Sequence, residues 1–403
     1  MIKEELFEEL ERSKSAVITD DEVKEIIHSL IINENRKSSL LLEEQLRIGK
    51  EIFYEIRKLD LLQELLEDTS ITEIMINGPE YIFVEKGGML SRLETKFESV
   101  QKLETIIQQI VARCNRVVNE AKPIVDARLD NGARVNIVLS PIALNGPIIT
   151  IRRFPDKPIG IEDLIGFGAL NREMADFLKI LVKAKYNIFI SGGTGSGKTT
   201  FLNALSNYIP YDERIITIED NAELQIQGID NLVKLETRNA NVEECVEITI
   251  RDLIKSALRM RPNRIIVGEV RGEEAIDMIQ CLNTGHDGSL STGHANSAVD
   301  MLYRLETMVL MGMDLPLSAI RRQIGSAVDI IIHLGRLRDK SRKVIEIVEV
   351  VGIDSDEIIL NVLYRFEETL SENKVDIKNN RIVGDWKKEN ELVNMEKWYQ
   401  AGY

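Results

Sequence analysis

The chain has 403 residues, more than one hydrophobic core usually supports, so two or more domains are expected. Its 51 lysines and arginines are outnumbered by 66 aspartates and glutamates, and the formal net charge of -15 disfavours general binding to nucleic acids. The three cysteines, an odd number at wide spacing, indicate neither a disulfide framework nor a CxxC metal motif, which favours a cytoplasmic protein.

The first residues, MIKEELFEELERS, are acidic where a signal peptide needs an apolar segment. No apolar run in the sequence has the length that a membrane-spanning helix requires. We therefore expect no transmembrane segment, and we expect any membrane association to go through a partner.

Residues 1–58 alternate charged and aliphatic positions at helical spacing, which predicts acidic helices with breaks near Asp20 and Asn33–Asn35. From residue 59 the pattern changes. ITEIMIN and YIFVEK predict short strands, Gly87-Gly88 predicts a hairpin turn, and the segment from Val100 to Cys114 predicts an amphipathic helix. Residues 59–154 are therefore expected to form a small α+β domain.

Prolines and glycines are concentrated in residues 155–166, which predicts a hinge or linker. Over residues 167–340, apolar strand-like runs such as NIFIS, RIITIED and RIIVGEV alternate with helical segments. Strands without period-two alternation, interleaved with helices, are typical of an α/β domain with a parallel sheet covered on both faces. Residues 341–403 predict two antiparallel strands, KVIEIVEVVG and EIILNVLYRFEE, followed by a polar tail.

The segment GGTGSGKT matches the P-loop pattern G-x-x-x-x-G-K-[ST], and it lies between a predicted strand and a predicted helix, as the mechanism requires. Lys198 is expected to reach the β- and γ-phosphates, and the Thr199 hydroxyl is expected to bind Mg²⁺. ATP is favoured because no guanine-reading motif such as NKxD is present. The predicted nucleotide-binding residues are Gly192, Gly193, Thr194, Gly195, Ser196, Gly197, Lys198, Thr199 and Thr200.

Acidic residues stand at the ends of two predicted strands. RIITIED ends with Glu219 and Asp220, and RIIVGEVR places Glu269 after an apolar run. Parallel sheets bind their ligands at this edge, so one carboxylate could position a metal ion while another polarises water. The alternative is that these acids cap helices or pair with Arg264 and Arg271.

The stretch TGHDGSLSTGHANS, residues 284–297, contains two of the four histidines among glycine, serine and threonine. Metal binding is disfavoured, because zinc needs three or four ligands and Cys281, His286 and His294 lack an acidic partner. A structural role for each histidine and a role as hydrogen-bond donor to phosphate both stay open at this point.

Five segments in order resemble the Walker A, Asp, arginine, Walker B and His boxes of the type II/type IV secretion ATPases. They are GGTGSGKTT, IITIED, LETR, TIRDLIKSALRMRPNRIIVGEVRGEEAIDM and TGHDGSLSTGHANS. The best match is the branch that assembles tight-adherence (Flp-type) pili, and the resemblance runs from about residue 55 to residue 370. Five boxes in order are more specific than the P-loop alone.

The resemblance implies a ring-forming ATPase, usually a hexamer, in which a small PAS-like N-terminal domain covers a RecA-like P-loop domain. It implies ATP and Mg²⁺ as ligands and an integral inner-membrane platform protein as partner. It also implies work on pilus assembly or protein secretion from the cytoplasmic face of the membrane, without direct contact to nucleic acid.

For the catalytic residues, the resemblance implies that Glu269 polarises the attacking water and that Glu219 is a second acid, holding Mg²⁺ indirectly. Lys198 and His294 complete the implied catalytic set, with His294 donating a hydrogen bond to the terminal phosphate from a flexible loop. His286 is expected only to shape that loop, whose Gly285, Gly288 and Gly293 permit close approach and movement.

Arginines of the N-terminal domain are implied to reach the γ-phosphate across the hinge. They are Arg128, Arg134 and Arg152, or its neighbour Arg153.

Two other functions stay open. A RecA-like DNA or RNA motor is disfavoured by the acidic net charge, and a nucleotide-gated scaffold without hydrolysis is disfavoured by the intact Glu219 and Glu269. Arg259, Arg261 and Arg264 lie close together, but no aromatic residues interleave with them, so ion pairing within the ring is expected.

Methionines at positions 301, 308 and 311 lie near helical spacing, which predicts a buried core helix rather than a partner groove.

Overall fold

The structure is a computed structural model that describes residue 6 and residues 18–38, 41–114, 116–153, 157–238, 246–369 and 382–403. Parts of three predicted segments lie outside these ranges: most of residues 1–17, the first hinge residues 155–156, and residues 370–381 of the predicted tail. The chain divides into two units, residues 1–156 and 157–403.

From residue 18 on, the described part of the N-terminal unit begins with two helices, α1 (Asp20–Ser38) and α2 (Leu42–Arg57). Val23, Ile27 and Ile31 of α1 pack against Ile52 and Phe53 of α2 in a hydrophobic cluster of their own. The predicted acidic helices are therefore present. The predicted break at Asn33–Asn35 is wrong, because α1 continues to Ser38. Asparagine costs only a few tenths of a kcal/mol in a helix, far less than proline.

The rest of this unit is an antiparallel six-stranded sheet with helices on one face. Its elements are α3 (Leu61–Glu67), β1 (Ile71–Asn77), β2 (Ile82–Lys86), β3 (Met89–Arg92), α4 (Val100–Arg113), β4 (Ile124–Arg128), β5 (Arg134–Val138) and β6 (Ile148–Arg152). The strand order is β3-β2-β1-β6-β5-β4. Leu103 and Ile107 of α4 share a core with Ile137 and Ile149. The predicted strands, the glycine hairpin and the amphipathic helix are all present.

The second unit begins with α5 (Ile161–Gly166), α6 (Arg172–Lys183), β7 (Ile188–Gly192), α7 (Lys198–Ser206), β8 (Ile215–Glu219), β9 (Leu232–Glu236), α8 (Ile250–Ala257) and β10 (Arg264–Val267). It continues with α9 (Ala275–Leu282), β11 (Leu290–Gly293), α10 (Ala298–Gly312), α11 (Leu317–Ala327), β12 (Ile330–Arg336), β13 (Arg342–Asp354), β14 (Glu357–Glu368), β15 (Gly384–Lys388) and α12 (Glu396–Gln400).

Nine strands of this unit form one sheet in the order β15-β14-β13-β12-β7-β11-β10-β8-β9. Pairing is parallel from β12 to β9 and antiparallel from β12 to β15. Leu178 of α6 and Leu202 of α7 pack on one face, and Ile279 of α9 and Met301 of α10 pack on the other. The predicted RecA-like α/β arrangement, a parallel sheet covered on both faces, is confirmed.

Several local predictions differ from the structure. The stretch from 284 to 297 is not a flexible loop throughout, because it contains the buried strand β11. A Cβ on Gly293 would lie 2.7 Å from Met301 Cε, so this glycine allows close packing rather than movement. The second half of the predicted hinge is helix α5, whose Ile161 and Leu164 are buried.

The C-terminal strand pair, β13 and β14, extends the central sheet rather than forming a layer of its own. In the methionine-rich helix α10, Met301 and Met308 are buried as predicted, whereas Met311 is 65% exposed. In the part of the chain that the structure describes, no helix has the length and apolar character of a membrane span.

The expectation that Arg264 forms ion pairs within a ring is wrong, because its side chain is fully buried inside this unit. Its guanidinium forms a two-point ion pair with Glu213 and donates to the carbonyl oxygens of Val182 and Gly288. The four groups join β10 to α6 and to the segments before β8 and β11. Removing one partner of such a buried pair is costly, because the remaining charge stays out of water.

We therefore expect Glu213→Gln to lower the free energy of unfolding of this unit by about 3–5 kcal/mol. Asp212→Asn, an exposed neighbour, should change it by less than about 0.5 kcal/mol. Denaturant titration followed by tryptophan fluorescence measures this unit alone, because both tryptophans, Trp386 and Trp398, belong to it. Equal midpoints for the two variants would contradict the assignment.

Candidate nucleotide site

The carboxyl ends of four neighbouring strands carry the predicted site residues. The strands lie side by side in the order β7-β11-β10-β8. The P-loop follows β7, His294 follows β11, Glu269 lies two residues beyond β10, and Glu219 ends β8. Because these strands are parallel, the fold brings the four groups to the edge where such sheets bind ligands.

The P-loop backbone adopts conformations that require glycine. Gly195 and Gly197 have φ values of 71° and 94°, in the left-handed region that other residues rarely adopt. Among the described residues, no acceptor of the chain takes a hydrogen bond from the N–H groups of Thr194 and Gly195. Converging backbone N–H groups before a helix N-terminus form an anion-binding site.

Ser196 and Thr199 add side-chain oxygens to this loop. Ser196 Oγ is buried and has no hydrogen-bond partner among the described residues. Thr199 lies in the first turn of α7, and its side chain is half-buried. In the described part of the chain, no cluster of three histidine, cysteine or acidic residues could hold a metal. A hydroxyl together with phosphate oxygens and water suits Mg²⁺, which prefers oxygen ligands and keeps several waters.

Lys198 is only 7% exposed, and its ammonium group is fully hydrogen-bonded. Nζ donates to the carbonyl oxygens of Gly192 (3.1 Å) and Gly193 (3.2 Å), and it lies 3.2 Å from His294 Nδ1. Burial lowers the pKa of Lys198, and the nearby Glu269 carboxylate opposes this effect.

His294 lies between Lys198 and Glu269. Its Nε2 atom is 2.8 Å from Glu269 Oε1. A lysine ammonium only donates, so Nδ1 of His294 must accept from Lys198, and the ring proton is then on Nε2, facing Glu269. Burial, with Lys198 and Arg271, lowers the pKa of His294, which favours this neutral form, and Glu269 opposes the shift.

Glu269 has a neighbour at each carboxylate oxygen, but only Oε2 accepts a hydrogen bond among the described residues. Oε1 faces His294, and Oε2 accepts a hydrogen bond of 2.8 Å from Arg271. Arg271 also lies 3.6 Å from Asp220 at the end of the neighbouring strand. The alternative that these acids pair with arginines therefore holds for Arg271 but not for Arg264.

Glu219 is 3% exposed and points into its own loop. Its carboxylate accepts hydrogen bonds from the backbone N–H groups of Glu223 (2.9 Å) and Leu224 (3.1 Å). A Cβ on Gly268 would lie 2.9 Å from Glu219 Cγ, so glycine is required beside it. Burial raises the pKa of Glu219 to about 7, and the two backbone hydrogen bonds only partly oppose this shift. The predicted role near Mg²⁺ stays a prediction.

The arginines of the N-terminal unit form a row on its sheet. Arg128 is directly opposite Arg134, and Arg134 is directly opposite Arg152. Directly opposite residues share a face of an antiparallel pair, so the three side chains lie on the same face. Arg153 differs, because its guanidinium donates to the carbonyl oxygen of Asp68.

The other histidine of the stretch and one distant histidine have structural partners. His286 Nδ1 lies 3.3 Å from the Cys281 carbonyl oxygen, in agreement with the expected role in shaping the loop. His333 was not predicted to lie near the site, yet its Nδ1 atom is 2.8 Å from Ser191 Oγ, just before the P-loop. Only the parallel register of β12 and β7 brings these two residues together.

The family described as "Type II/IV secretion system protein" matches residues 55–378 of the chain. A putative conjugal transfer protein of Mycobacterium tuberculosis is 35% identical over 293 residues, which is 71% of this chain and 83% of the relative. Type IV secretion system protein PtlH of Bordetella pertussis is 32% identical over 315 residues, 72% of this chain and 93% of the relative.

The crystal structure of the ATPase DotB of Legionella pneumophila has a similar fold. It aligns with a TM-score of 0.51 and 22% identity, and the alignment covers 70% of this chain and 77% of DotB.

The raised pKa of Glu219 predicts a specific dependence of stability on pH. Between the ordinary pKa of 4.5 and about 7, the folded protein keeps a proton that the unfolded chain has lost. The free energy of unfolding therefore falls as the pH rises through this window, by roughly 3 kcal/mol in total.

Glu219→Gln should remove this loss. From pH 4.5 to pH 8, the free energy of unfolding of the wild type should fall relative to that of Glu219→Gln. Denaturant titrations without Mg²⁺ measure it, and other titrating groups cancel in the difference. A difference that does not vary with pH would show that Glu219 is ionised throughout.

Proposed function

Because the chain belongs to the type II/IV secretion system protein family and is an ATPase of that family, we propose that it works as a cytoplasmic hexamer that powers a membrane-embedded machine. Its work is the assembly of a tight-adherence (Flp-type) pilus or the secretion of protein. Its membrane partner is an integral inner-membrane platform protein. One observation carries the proposal: Lys198, His294 and Glu269 form a connected array beside the P-loop.

ATP binds with its phosphates in the loop formed by residues 192–199, where free N–H groups and the N-terminus of α7 meet the negative charge. The Thr199 hydroxyl, with Glu219 acting through water, would hold Mg²⁺, which would supply positive charge to offset the charge that develops on the phosphoryl group. Lys198 exchanges its bonds to the loop carbonyl oxygens for bonds to phosphate oxygens.

Glu269 is the base that orients and polarises the attacking water. Arg271 fixes one carboxylate oxygen, so the other is aimed towards the P-loop. His294 lies between this carboxylate and Lys198, and its Nε2–H, the one donor of the neutral ring, donates to the terminal phosphate once Lys198 has moved onto the phosphates. Hydrolysis and phosphate loss return the array to its starting state.

Arg128, Arg134 and Arg152 reach the γ-phosphate and close the hinge. The three arginines are directly opposite one another on one face, and Arg152 also lies 3.7 Å from the Glu73 carboxylate. This local concentration of guanidinium groups supports a use in which they face an anion. Shifting a two-state equilibrium almost completely takes about 5.5 kcal/mol. Two or three charge-assisted hydrogen bonds of roughly 1.5–3 kcal/mol each supply that amount.

A second candidate is a machine for conjugal transfer, which the name of the mycobacterial relative mentions. In that case the ATPase could contact DNA directly, although the net charge of -15 opposes it. Phosphate release measured with and without single-stranded and duplex DNA separates the two, because a motor that tracks DNA is stimulated by it.

Two substitutions separate binding from hydrolysis. Lys198→Ala should abolish both ATP binding and turnover. Glu269→Gln should leave the Kd for ATP unchanged within about threefold and lower kcat by roughly 10²–10⁴, the usual contribution of a general base. Glu273→Gln, an exposed acid of the same loop, is the matched control. Steady-state phosphate release and equilibrium ATP binding measure both quantities, and full turnover by either active-site variant would refute the assigned roles.

The arginine row predicts a different defect. Arg128→Gln, Arg134→Gln and Arg152→Gln should each lower kcat, by up to about 10³–10⁵ for a guanidinium that stabilises the transition state. Arg153→Gln should change kcat by less than about threefold, because Arg153 bonds to Asp68 within its own unit. If all four variants behave alike, the row has no special role in hydrolysis.

A further inference from the structure

The hairpin between β12 and β13 places two arginines against the outside of the P-loop. Arg336 and Arg342 are directly opposite each other in antiparallel register. Arg342 Nε donates a hydrogen bond of 2.8 Å to the Gly195 carbonyl oxygen. A Cβ on Gly195 would lie 3.7 Å from Arg336 Nη1, and a Cβ on Gly197 would lie 3.3 Å from Arg342 Cδ. Both side chains therefore lie beside the loop.

The turn that carries these arginines is fixed by its own hydrogen bonds. The Leu337 N–H donates to the Ser341 carbonyl oxygen at 2.8 Å. Asp339 accepts from the Ser341 N–H and hydroxyl, and from the Ile382 N–H at 2.7 Å. Arg338, on the same turn, is exposed, and its ion pair with Glu368 is a surface contact that adds little to the rigidity of the turn. A turn held at this many points presents its arginines in a fixed geometry.

The start of β13 is anchored on its other side as well. Lys343 Nζ donates to the Gly168 carbonyl oxygen, and the Val344 N–H donates to the Ala169 carbonyl oxygen, each at 2.8 Å. Arg342 is therefore the first of three consecutive residues that bind other parts of this unit. The P-loop is therefore hydrogen-bonded to strand β13, and β13 is hydrogen-bonded to the segment at Gly168–Ala169.

The contact with Gly195 has a direct consequence for anion binding. The Gly195 carbonyl and the Ser196 N–H are the two ends of one trans peptide unit, so they point in opposite directions. A charged donor on the Gly195 carbonyl fixes this peptide unit, whose N–H donates to the Gly193 carbonyl oxygen at 3.3 Å, and so fixes the turn that presents the preceding N–H groups. The guanidinium groups of Arg336 and Arg342, directly opposite each other, repel. A polyphosphate bound in the P-loop would offset this repulsion.

We propose that Arg342 is a positioning residue of the nucleotide site. It holds the P-loop from outside in the form that binds a nucleoside polyphosphate, and Arg336 adds positive charge at the same place. This proposal rests on the proposed function of the P-loop as the ATP site. It adds residues from a hairpin that lies 147 positions further along the chain.

The test is ATP binding and turnover by the full chain carrying Arg342→Gln, Arg342→Lys or Arg336→Gln. Arg338→Gln is the matched control, since Arg338 lies on the same hairpin and bonds to Glu368. We expect Arg342→Gln to raise the Kd and KM for ATP roughly tenfold, the effect of one charge-assisted hydrogen bond, while kcat stays within about twofold. Arg342→Lys should recover part of the loss, because lysine keeps the charge but not the planar donor.

Salt dependence separates an electrostatic role from a purely structural one. The Kd of the wild-type protein should rise with ionic strength more steeply than that of Arg336→Gln, which has lost one cation near the phosphates. Unchanged ATP affinity in Arg342→Gln, beside tight binding by the wild type, would overturn this proposal alone. A defect of equal size in Arg338→Gln would also overturn it. Failure of the wild type to bind ATP would overturn the proposed function as well.

Discussion

The array of Lys198, His294 and Glu269 is the interaction on which the site depends: Lys198 Nζ lies 3.2 Å from His294 Nδ1, and His294 Nε2 lies 2.8 Å from Glu269 Oε1. A neutral imidazole has one donor and one acceptor, so the state of one ring nitrogen determines that of the other. As long as Lys198 donates to Nδ1, the Nε2 proton is directed at Glu269. When a phosphate binds Lys198 in place of His294, Nδ1 loses its donor. The position of the ring proton, and so the interaction of His294 with Glu269, can then change. Groups that follow three adjacent strands, β7, β11 and β10, therefore depend on the position of Lys198, and a ligand that moves Lys198 changes the surroundings of Glu269.

Two carboxylates at the same sheet edge have opposite environments. Glu269 lies between His294 and the guanidinium of Arg271, whereas Glu219 is buried against Gly268 with backbone N–H groups as its partners. Environments that differ in this way assign different roles to chemically identical groups. An acid that Arg271 holds at one oxygen, with the other oxygen left without a hydrogen bond among the described residues, suits the orientation of water. A buried acid with a pKa of about 7 suits a site where a cation controls ionisation.

The sequence predicted those parts of the site whose geometry is encoded locally. The P-loop is one, because Gly195, Gly197 and Lys198 define the turn and the helix start within a few residues. Strand β11 was missed, since its sequence LSTG is small and polar, and it is buried only because β7 and β10 flank it. The prediction that Arg264 forms ion pairs within a ring is wrong for a similar reason, since the side chain is buried. Its partner Glu213 is 51 residues away, a contact that no local pattern predicts.

The charge distribution accounts for how so acidic a chain binds a polyanion. A net charge of -15 repels ATP at long range, but exposed charges further apart than about 10 Å are largely screened at physiological salt. Within that distance, backbone N–H groups and nearby cations determine the interaction. Lys198, Arg336 and Arg342 lie at or beside the P-loop, and Arg271 is bound to Glu269. The groups around the P-loop therefore determine the affinity for phosphate. The net negative charge of the whole chain disfavours binding of longer polyanions such as nucleic acids.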